Sequence, residues 1–446
     1  MTVARRPEGY NSNLGEAVKK IRRSMEEQAD RTEVLVLWGI GNHGGGPSRK
    51  DMAEITELQR STTDAKIEHS TPEAFFEAIE KAGELLPEWR GDLNPWAPGC
   101  YTSQIRIKQK HRQLENQLFA TERMAVHARL LGLTEYPGLE FDDAQYDLLT
   151  SQFHDILPGS SIQPVEEASI RLLDHGLEIV SRVRRRLFFA LASSCPAPPE
   201  EAIPIIAYNS IPVELAGVWE CEFQPAAQNW NPTFTDYEVY QDGVLVPSQV
   251  EHEASNLNLD WRKKLAIRAV LPASSLSRFV CLPVNRPERP PASLKAAHGR
   301  LVVAGDSMQV VINTETGLVD ELVSDGMSMV KPGAFAPVVV TGDEDPWGST
   351  ERSYKEKIGE FELMSGARGS EFSGLADSEL PSVRVIEEGP VRVVVEALFE
   401  YNDSSCILRY RIPRAGKSFD LDVEVNWREK NRMLKLAIPS AFEDAA

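Results

Sequence analysis

The chain has 446 residues, a formal net charge of −19 and a hydrophobic fraction of 42%. This length suffices for two or three domains, and the composition is that of a folded protein rather than a disordered or collagen-like one. The acidic balance argues against nucleic-acid binding, because phosphate recognition requires a basic surface. We interpret it as an acidic, well-solvated surface.

The cysteines and the apolar segments indicate in which cellular compartment the protein resides. The five cysteines are scattered and form no CxxC pair, and their odd number predicts reduced thiols in a cytoplasmic protein. The N-terminal segment MTVARRPEGYNSNLGEAV contains no apolar run of the signal-peptide type. No stretch approaches the roughly 20 apolar residues that cross a bilayer. We therefore expect a soluble intracellular protein without a membrane partner.

The first 92 residues predict an α/β arrangement. A wholly apolar run at 34–38 predicts a strand buried on both faces, as in a parallel sheet, and a second short strand is predicted at 65–68. Helices that alternate with buried strands are typical of an α/β sheet, here without its opening strands. The predicted helices cover residues 14–30, 50–61 and 72–86.

The next region, residues 93–195, predicts a helical domain. Helical spacing extends over about 103–135, 142–154 and 162–193, and the short connections suggest a three-helix bundle. A proline-rich segment at 195–204 is interpreted as a linker.

After residue 204, short β-rich runs alternate with turns, which predicts a large all-β region of sandwich type. Asp242-Gly243 predicts a hairpin turn. A second proline-rich segment at 285–293 divides this region into a first β-domain, 204–284, and a larger β-sandwich domain, 295–446. The predicted fold class is therefore multidomain α/β + α + β. The predicted strands cover residues 205–208, 237–240, 265–271, 279–282, 301–303, 309–312, 337–340, 391–399, 407–412 and 419–425.

A glycine-rich loop, GIGNHGGGPSR, follows the predicted strand at 34–38. Loops at this position hold ligands in α/β enzymes. However, the loop contains neither GxGxxG nor GxxxxGK[ST], so unusual backbone angles explain the glycines better than phosphate binding. Its small residues leave the imidazole of His43 accessible, which suits proton transfer.

A second segment, QFHDILPGSS at 152–161, ends one predicted helix and opens the next, with Ser160 or Ser161 as N-cap. His154 and Asp155 are adjacent in it. A neutral imidazole binds zinc well, and a neighbouring carboxylate can bind a metal or sugar hydroxyls. On these residues alone a capped helix end is favoured over a metal site. No local motif supplies three zinc ligands.

Together these segments resemble family 38 glycoside hydrolases, which are zinc-dependent retaining α-mannosidases. QFHDILPGSS resembles the family motif that supplies a histidine to the catalytic zinc, and LWGIGNHGGGPSR resembles the glycine-rich loop of bacterial members. The resemblance continues in order along the chain, at 91–122, 206–218, 344–349 (EDPWGS), 387–401 and 425–439.

The resemblance implies a two-carboxylate mechanism acting on terminal α-mannosides of oligosaccharides, with zinc as cofactor. His154 would be the zinc ligand of the central domain, and Asp155 would bind hydroxyls of the same sugar. His43 is the candidate general acid, at a position where many relatives carry aspartate. Asn42 beside it and Trp96 are candidate substrate-binding residues, Trp96 by stacking on the sugar.

The resemblance also indicates what the chain lacks. Relatives carry an HxD zinc pair and the aspartate nucleophile upstream, and no HxD motif precedes residue 37 here. We expect a fragment with a partial, β/α-barrel-like catalytic domain, whose hydrolysis alone loses most of its rate enhancement. A non-catalytic carbohydrate-binding or scaffold protein, and a glycosidase for another sugar, stay open as alternatives. Linkage preference and oligomeric state also stay open.

Overall fold

The computed structural model describes residues 9–41, 45–83, 86, 88–90, 97–253, 262–349, 354–375 and 379–442. The chain divides into two compact units, Met1–Leu93 and Asn94–Ala446. In the part of the chain that the structure describes, no helix is long and apolar enough to cross a membrane.

The described residues of the first unit form three helices near their predicted positions: α1 (Ala17–Glu27), α2 (Arg49–Ser61) and α3 (Pro72–Ala82). The hydroxyl of Ser48 accepts a 3.0 Å hydrogen bond from the backbone N–H of Asp51 and so caps α2. Thr71 caps α3 in the same way, ahead of a proline in the first turn. The small core of this unit consists of Ala17, Ile21, Ile55 and Leu58.

The strands predicted at 34–38 and 65–68 are wrong, because neither segment is a strand in the structure. Leu37 is exposed and the rest of the first run is half-buried, with Val36 and Trp38 packed against the small core beside Ile67. An apolar run becomes a strand only where a partner strand satisfies its backbone groups. The described residues of this unit contain no such partner, so side-chain packing accounts for the apolar run.

The helical part of the second unit contains α4 (Ile105–Leu130), α5 (Gly138–Ser151) and α6 (Gln163–Ala192). Buried residues recur along α4 at intervals of three or four, as a packed helix face requires. Gly176 allows α6 to approach α4 closely, since a Cβ there would lie 2.8 Å from a Leu114 methyl group. The three helices share one apolar core.

A first β region follows and forms two antiparallel sheets, ordered β1-β7-β3-β4 and β2-β6-β5. Their facing sides share one core, which includes Val239, Ile267 and Phe279. The predicted hairpin is confirmed: Asp242 and Gly243 have φ angles of 51° and 78° and join β3 to β4. The strands are β1 (Ile203–Asn209), β2 (Leu215–Phe223), β3 (Phe234–Gln241), β4 (Val244–Val246), β5 (Ser248–Glu251), β6 (Lys263–Leu271) and β7 (Ser275–Arg286).

As far as the structure describes it, the second β region contains three more antiparallel sheets and one short helix, α7 (Gly366–Phe372). Strand β16 is buried at eight consecutive positions, because it lies inside the five-stranded sheet of this region. The strands are β8 (Arg300–Ala304), β9 (Met308–Asn313), β10 (Val319–Ser324), β11 (Met327–Ser328), β12 (Ala336–Thr341), β13 (Lys357–Glu360), β14 (Glu362–Leu363), β15 (Val383–Glu388), β16 (Arg392–Tyr401), β17 (Ser404–Pro413), β18 (Asp420–Asn426) and β19 (Arg432–Ala437).

The observed fold thus mixes helices with antiparallel sheets. The predicted domain boundaries and the barrel-like character of residues 1–92 stay predictions.

Candidate functional site

The side chains of His154 and Asp155 lie next to each other in the turn between α5 and α6. We call residues 152–161 the HD turn. The Nε2 atom of His154 is 3.5 Å from Oδ2 of Asp155, and the two side chains are 61% and 46% exposed. Both groups are therefore available to a ligand from solvent.

An aromatic ring supports this pair. The ring centroids of Phe153 and His154 are 4.3 Å apart at an interplanar angle of 42°, which is a favourable aromatic contact. Phe153 is itself 54% exposed. The HD turn thus presents an imidazole, a carboxylate and an apolar ring side by side.

The start of the HD turn is tied to α4. The side-chain nitrogen Nε2 of Gln152 lies 3.1 Å from Nε2 of His111. Burial lowers the pKa of His111, which favours its neutral form. This contact joins the end of α5 to the interior of the helical core.

The end of the HD turn is fixed by the segment that precedes α4. The hydroxyl of Ser103 donates a 2.6 Å hydrogen bond to the carbonyl oxygen of Gly159. Gly159 has a φ of 76°, and a Cβ there would lie 2.4 Å from the backbone oxygen of Ser103. Glycine is therefore required for both the backbone angle and the close approach.

A lysine holds the middle of the turn. Nζ of Lys108 donates hydrogen bonds to the carbonyl oxygens of Ser103 (2.6 Å) and Leu157 (2.9 Å). Burial lowers the pKa of this lysine, and the nearby Cys100 acts in the opposite direction. The backbone of the HD turn is thus bound to α4 by one charge-assisted hydrogen bond, the one that Leu157 accepts.

The predicted N-cap at Ser160 or Ser161 is wrong. The N-cap of α6 is Ile162, which makes no side-chain capping bond. The hydroxyl of Ser161 instead donates to Oε1 of Gln104 (3.2 Å), whose Nε2 donates to the carbonyl oxygen of Ser161 (2.7 Å). This reciprocal pair uses the hydroxyl for a tertiary contact, which local sequence reasoning did not identify.

Among the described residues, no group of three or more His, Cys, Asp or Glu side chains could hold a metal ion. Several other histidines make contacts of their own, such as those of His127 with Tyr208, His175 with Asp147 and His252 with Glu387. Of the residues predicted for the site, the structure brings His154 and Asp155 together. Asn42, His43 and Trp96 lie outside the described residues.

Three family models match the chain in order. They are the glycosyl hydrolases family 38 N-terminal domain at residues 4–97, the alpha mannosidase middle domain at 96–191 and the glycosyl hydrolases family 38 C-terminal domain at 352–445. The chain belongs to glycosyl hydrolase family 38. The HD turn of this family 38 chain lies within its middle domain.

Curated alpha-mannosidases also match parts of the chain. Alpha-mannosidase G of Dictyostelium discoideum is 33% identical over 165 residues, which cover 36% of this chain and 15% of the relative. Alpha-mannosidase 2C1 of Homo sapiens is 27% identical over 216 residues, covering 46% of this chain and 20% of the relative. The matched segments therefore span a fifth or less of these relatives' length.

A solved structure shares the fold. The alpha-mannosidase from Enterococcus faecalis V583 superposes on 96% of this chain and 55% of its own, with a TM-score of 0.60 and 14% identity. The family 38 chain therefore has the fold of just over half of that protein.

The structure also adds site residues that the sequence did not predict. Ser103, Gln104 and Lys108 anchor the HD turn, and they lie in the segment 91–122 that resembles the family. Their roles depend on contacts between residues about fifty positions apart, so the only signal in the sequence was that resemblance.

Proposed function

We propose that this family 38 chain serves the hydrolysis of terminal α-mannosides with retention, and that the HD turn binds the terminal mannose. The exposed pair His154 and Asp155 on a firmly anchored turn carries this proposal. The curated relatives are alpha-mannosidases by name, which supports α-mannosides as the substrate class.

The side chains of the HD turn suit a hexose. The carboxylate of Asp155 can accept hydrogen bonds from two vicinal hydroxyls, and each such charge-assisted bond contributes roughly 1.5–3 kcal/mol. The exposed ring of Phe153 offers an apolar face to the C–H groups of the sugar. Because the backbone of the turn is fixed, little conformational entropy is lost on binding.

Zinc is the proposed cofactor, with His154 as one ligand. A catalytic zinc takes three protein ligands and keeps a fourth position open. The described residues offer no group of three ligands, so they do not by themselves fit the metal. The role of His154 as a ligand and that of His43 as general acid are proposals that the resemblance supports.

We also propose a cytoplasmic location, because the cysteines are free. All five are free thiols in the structure, and burial raises the pKa of Cys281 and Cys406 to about 12 each. Such thiols are inert and persist in a reducing compartment. Thiol titration of the denatured natural protein should find all five free, and a disulfide would contradict this location.

The function is tested by hydrolysis of a panel of aryl glycosides, with added zinc and with a chelator. The variants are His154→Gln and, as matched control, His175→Gln, whose side chain is equally exposed at 61% and also pairs with an aspartate. Turnover confined to the α-mannoside, dependent on metal and lost only in His154→Gln, would support the proposal.

Comparable turnover of another glycoside, or α-mannoside turnover that His154→Gln leaves intact, would contradict it. If the folded chain hydrolyses none of the substrates, sugar affinity decides. Binding of a mannoside without turnover would support the proposed sugar site and the expected loss of rate in this chain alone. Absence of binding would contradict the sugar site.

A further inference from the structure

A tight turn in the second β region presents a tryptophan to solvent. We call residues 345–348 the DPWG turn. Oδ1 of Asp345 accepts a 3.0 Å hydrogen bond from the backbone N–H of Trp347, which is an Asx turn. A Cβ on Gly348 would lie 2.4 Å from Oδ2 of the same aspartate. The turn is therefore well defined, and Trp347 remains 42% exposed.

The DPWG turn packs on the segment that precedes α4. A Cβ on Gly99 would lie 2.8 Å from Cα and 3.0 Å from the oxygen of Pro346. The thiol of Cys100 points to the same carbonyl oxygen, with Sγ 3.5 Å away. Backbone thus meets backbone here, which fixes the DPWG turn against the helical domain.

Residues 99–108, which include this segment and the first turn of α4, also anchor the HD turn through Ser103 and Lys108. Besides burial, the pKa of Cys100 is influenced by one residue from each contact, Lys108 and Asp345. Burial raises the pKa of its thiol, with a lowering contribution from Lys108 and a raising one from Asp345. One segment of ten residues therefore carries both turns, although the two are far apart in sequence.

We propose that Trp347 is a stacking platform for a second sugar ring of the oligosaccharide whose terminal mannose binds at the HD turn. Three observations carry this proposal: the fixed geometry of the turn, the exposed indole, and the shared anchor with the HD turn. The apolar face of a pyranose ring packs on an indole, whose flat surface loses little entropy on binding. The proposal rests on the proposed function.

The experiment measures the affinity of the purified chain for methyl α-mannoside and for an α-linked mannobiose. Trp347→Ala should weaken mannobiose binding about tenfold and leave methyl α-mannoside binding unchanged. Trp347→Phe should retain most of the affinity because it keeps an aromatic face. Trp230→Ala is the matched control, since Trp230 is 72% exposed in the first β region. This variant should bind both sugars as the wild type does.

A spectroscopic readout covers the case in which the alanine variant folds poorly. Mannobiose should change the tryptophan fluorescence of the wild type and of Trp230→Phe, and this change should be absent in Trp347→Phe. Equal mannobiose affinity in the wild type and Trp347→Ala would overturn the role of Trp347 alone. If the folded wild type binds neither sugar, the proposed mannoside site fails, and the role of Trp347 fails with it.

Discussion

The hydroxyl of Ser103 and the carbonyl oxygen of Gly159 are joined by a hydrogen bond of 2.6 Å. This bond links the segment before α4 to the end of the HD turn, where Gly159 has a φ of 76° and lies against the backbone of Ser103. The exposed His154–Asp155 pair is therefore held by a backbone contact rather than by its own side chains. Substitutions at the contact between Ser103 and Gly159 should therefore displace His154 and Asp155, although neither residue is itself changed.

Replacement of Gly159 by alanine tests this contact. The left-handed backbone angle costs roughly 1–2 kcal/mol for a residue with a Cβ, and the clash with Ser103 adds about 1–3 kcal/mol. Gly132→Ala is the matched control, since Gly132 has a φ of 70° and a Cβ there meets nothing within 4 Å. In urea unfolding, Gly159→Ala should lose clearly more stability than Gly132→Ala. Equal losses would refute the close contact.

Lys108 should give a stability signal that depends on pH. Its pKa in the folded state lies below the ordinary value of 10.5, mainly because of burial, so the unfolded chain binds more protons between these two pKa values. The wild type should therefore gain stability relative to Lys108→Met as the pH rises towards about 10.5. Urea unfolding of both proteins at neutral and alkaline pH measures this. If the stability difference between the wild type and Lys108→Met stays constant or reverses as the pH rises, the lowered pKa of Lys108 is contradicted.

Loss of the lysine should also weaken the protein at neutral pH. Lys108→Met leaves the carbonyl oxygens of Ser103 and Leu157 without this donor, which should cost roughly 1.5–3 kcal/mol. Lys110→Met is the control. Lys110 lies in α4 like Lys108, but its partner is the half-exposed carboxylate of Asp174 in α6. This substitution should cost less than about 1 kcal/mol.

A second relationship joins the two β regions. Arg392 of β16 forms a bidentate ion pair with Glu251 of β5, with Nε–Oε1 at 2.7 Å and Nη2–Oε2 at 2.5 Å, and the two side chains are 5% and 1% exposed. Removing Arg392 leaves the buried carboxylate of Glu251 with Lys264, whose Nζ is 3.5 Å from Oε2, as its cationic partner. Loss of one partner of a buried ion pair costs up to about 3–5 kcal/mol. Arg392→Met should therefore destabilise more than the double variant with Glu251→Leu. A double variant that is less stable than Arg392→Met alone would contradict this.

Glu220 should make this ion-pair network sensitive to acid. Burial alone would raise its pKa, but hydrogen bonds and charges from Arg392 and Lys264 outweigh burial and lower the pKa to about 2. A folded-state pKa below the ordinary 4.5 stabilises the protein above that value, and this contribution is lost as the pH falls towards about 2. The stability advantage of the wild type over Glu220→Gln should shrink as the pH falls from about 5 towards about 2. An advantage independent of pH would contradict the assignment.

Sequence patterns predicted the fold well in segments whose structure depends on residues within the same segment. The helix at Arg49–Ser61 was predicted to within one residue, because Ser48 is a local cap. Asp242-Gly243 likewise determines its turn through its own backbone angles. Strand β2 was missed although Trp219, Cys221 and Phe223 alternate with two glutamates in its second half. Its pairing partner, β6, lies about fifty residues away. The run at 34–38 was mistaken for a strand because hydrophobicity does not show whether a partner strand is present.

The candidate site was predicted only in its local part. His154 and Asp155 are adjacent in the sequence, so the motif alone brings them together. The contacts of Ser103 with Gly159 and of Cys100 with Pro346 join residues 56 and 246 positions apart, and no periodicity encodes such pairs. The shared anchor of the HD and DPWG turns could therefore be found only in the folded chain.

The central claim, that the HD turn binds the terminal mannose, is tested most directly by the affinity of the folded chain for methyl α-mannoside, measured with zinc present. We predict that the wild type and His175→Gln bind it better than methyl α-glucoside, which differs only at C2. His154→Gln should weaken mannoside binding at least tenfold, which corresponds to about 1.4 kcal/mol. Equal affinity for the two sugars, or mannoside binding that survives in His154→Gln, would contradict the assignment of the HD turn as the mannose site.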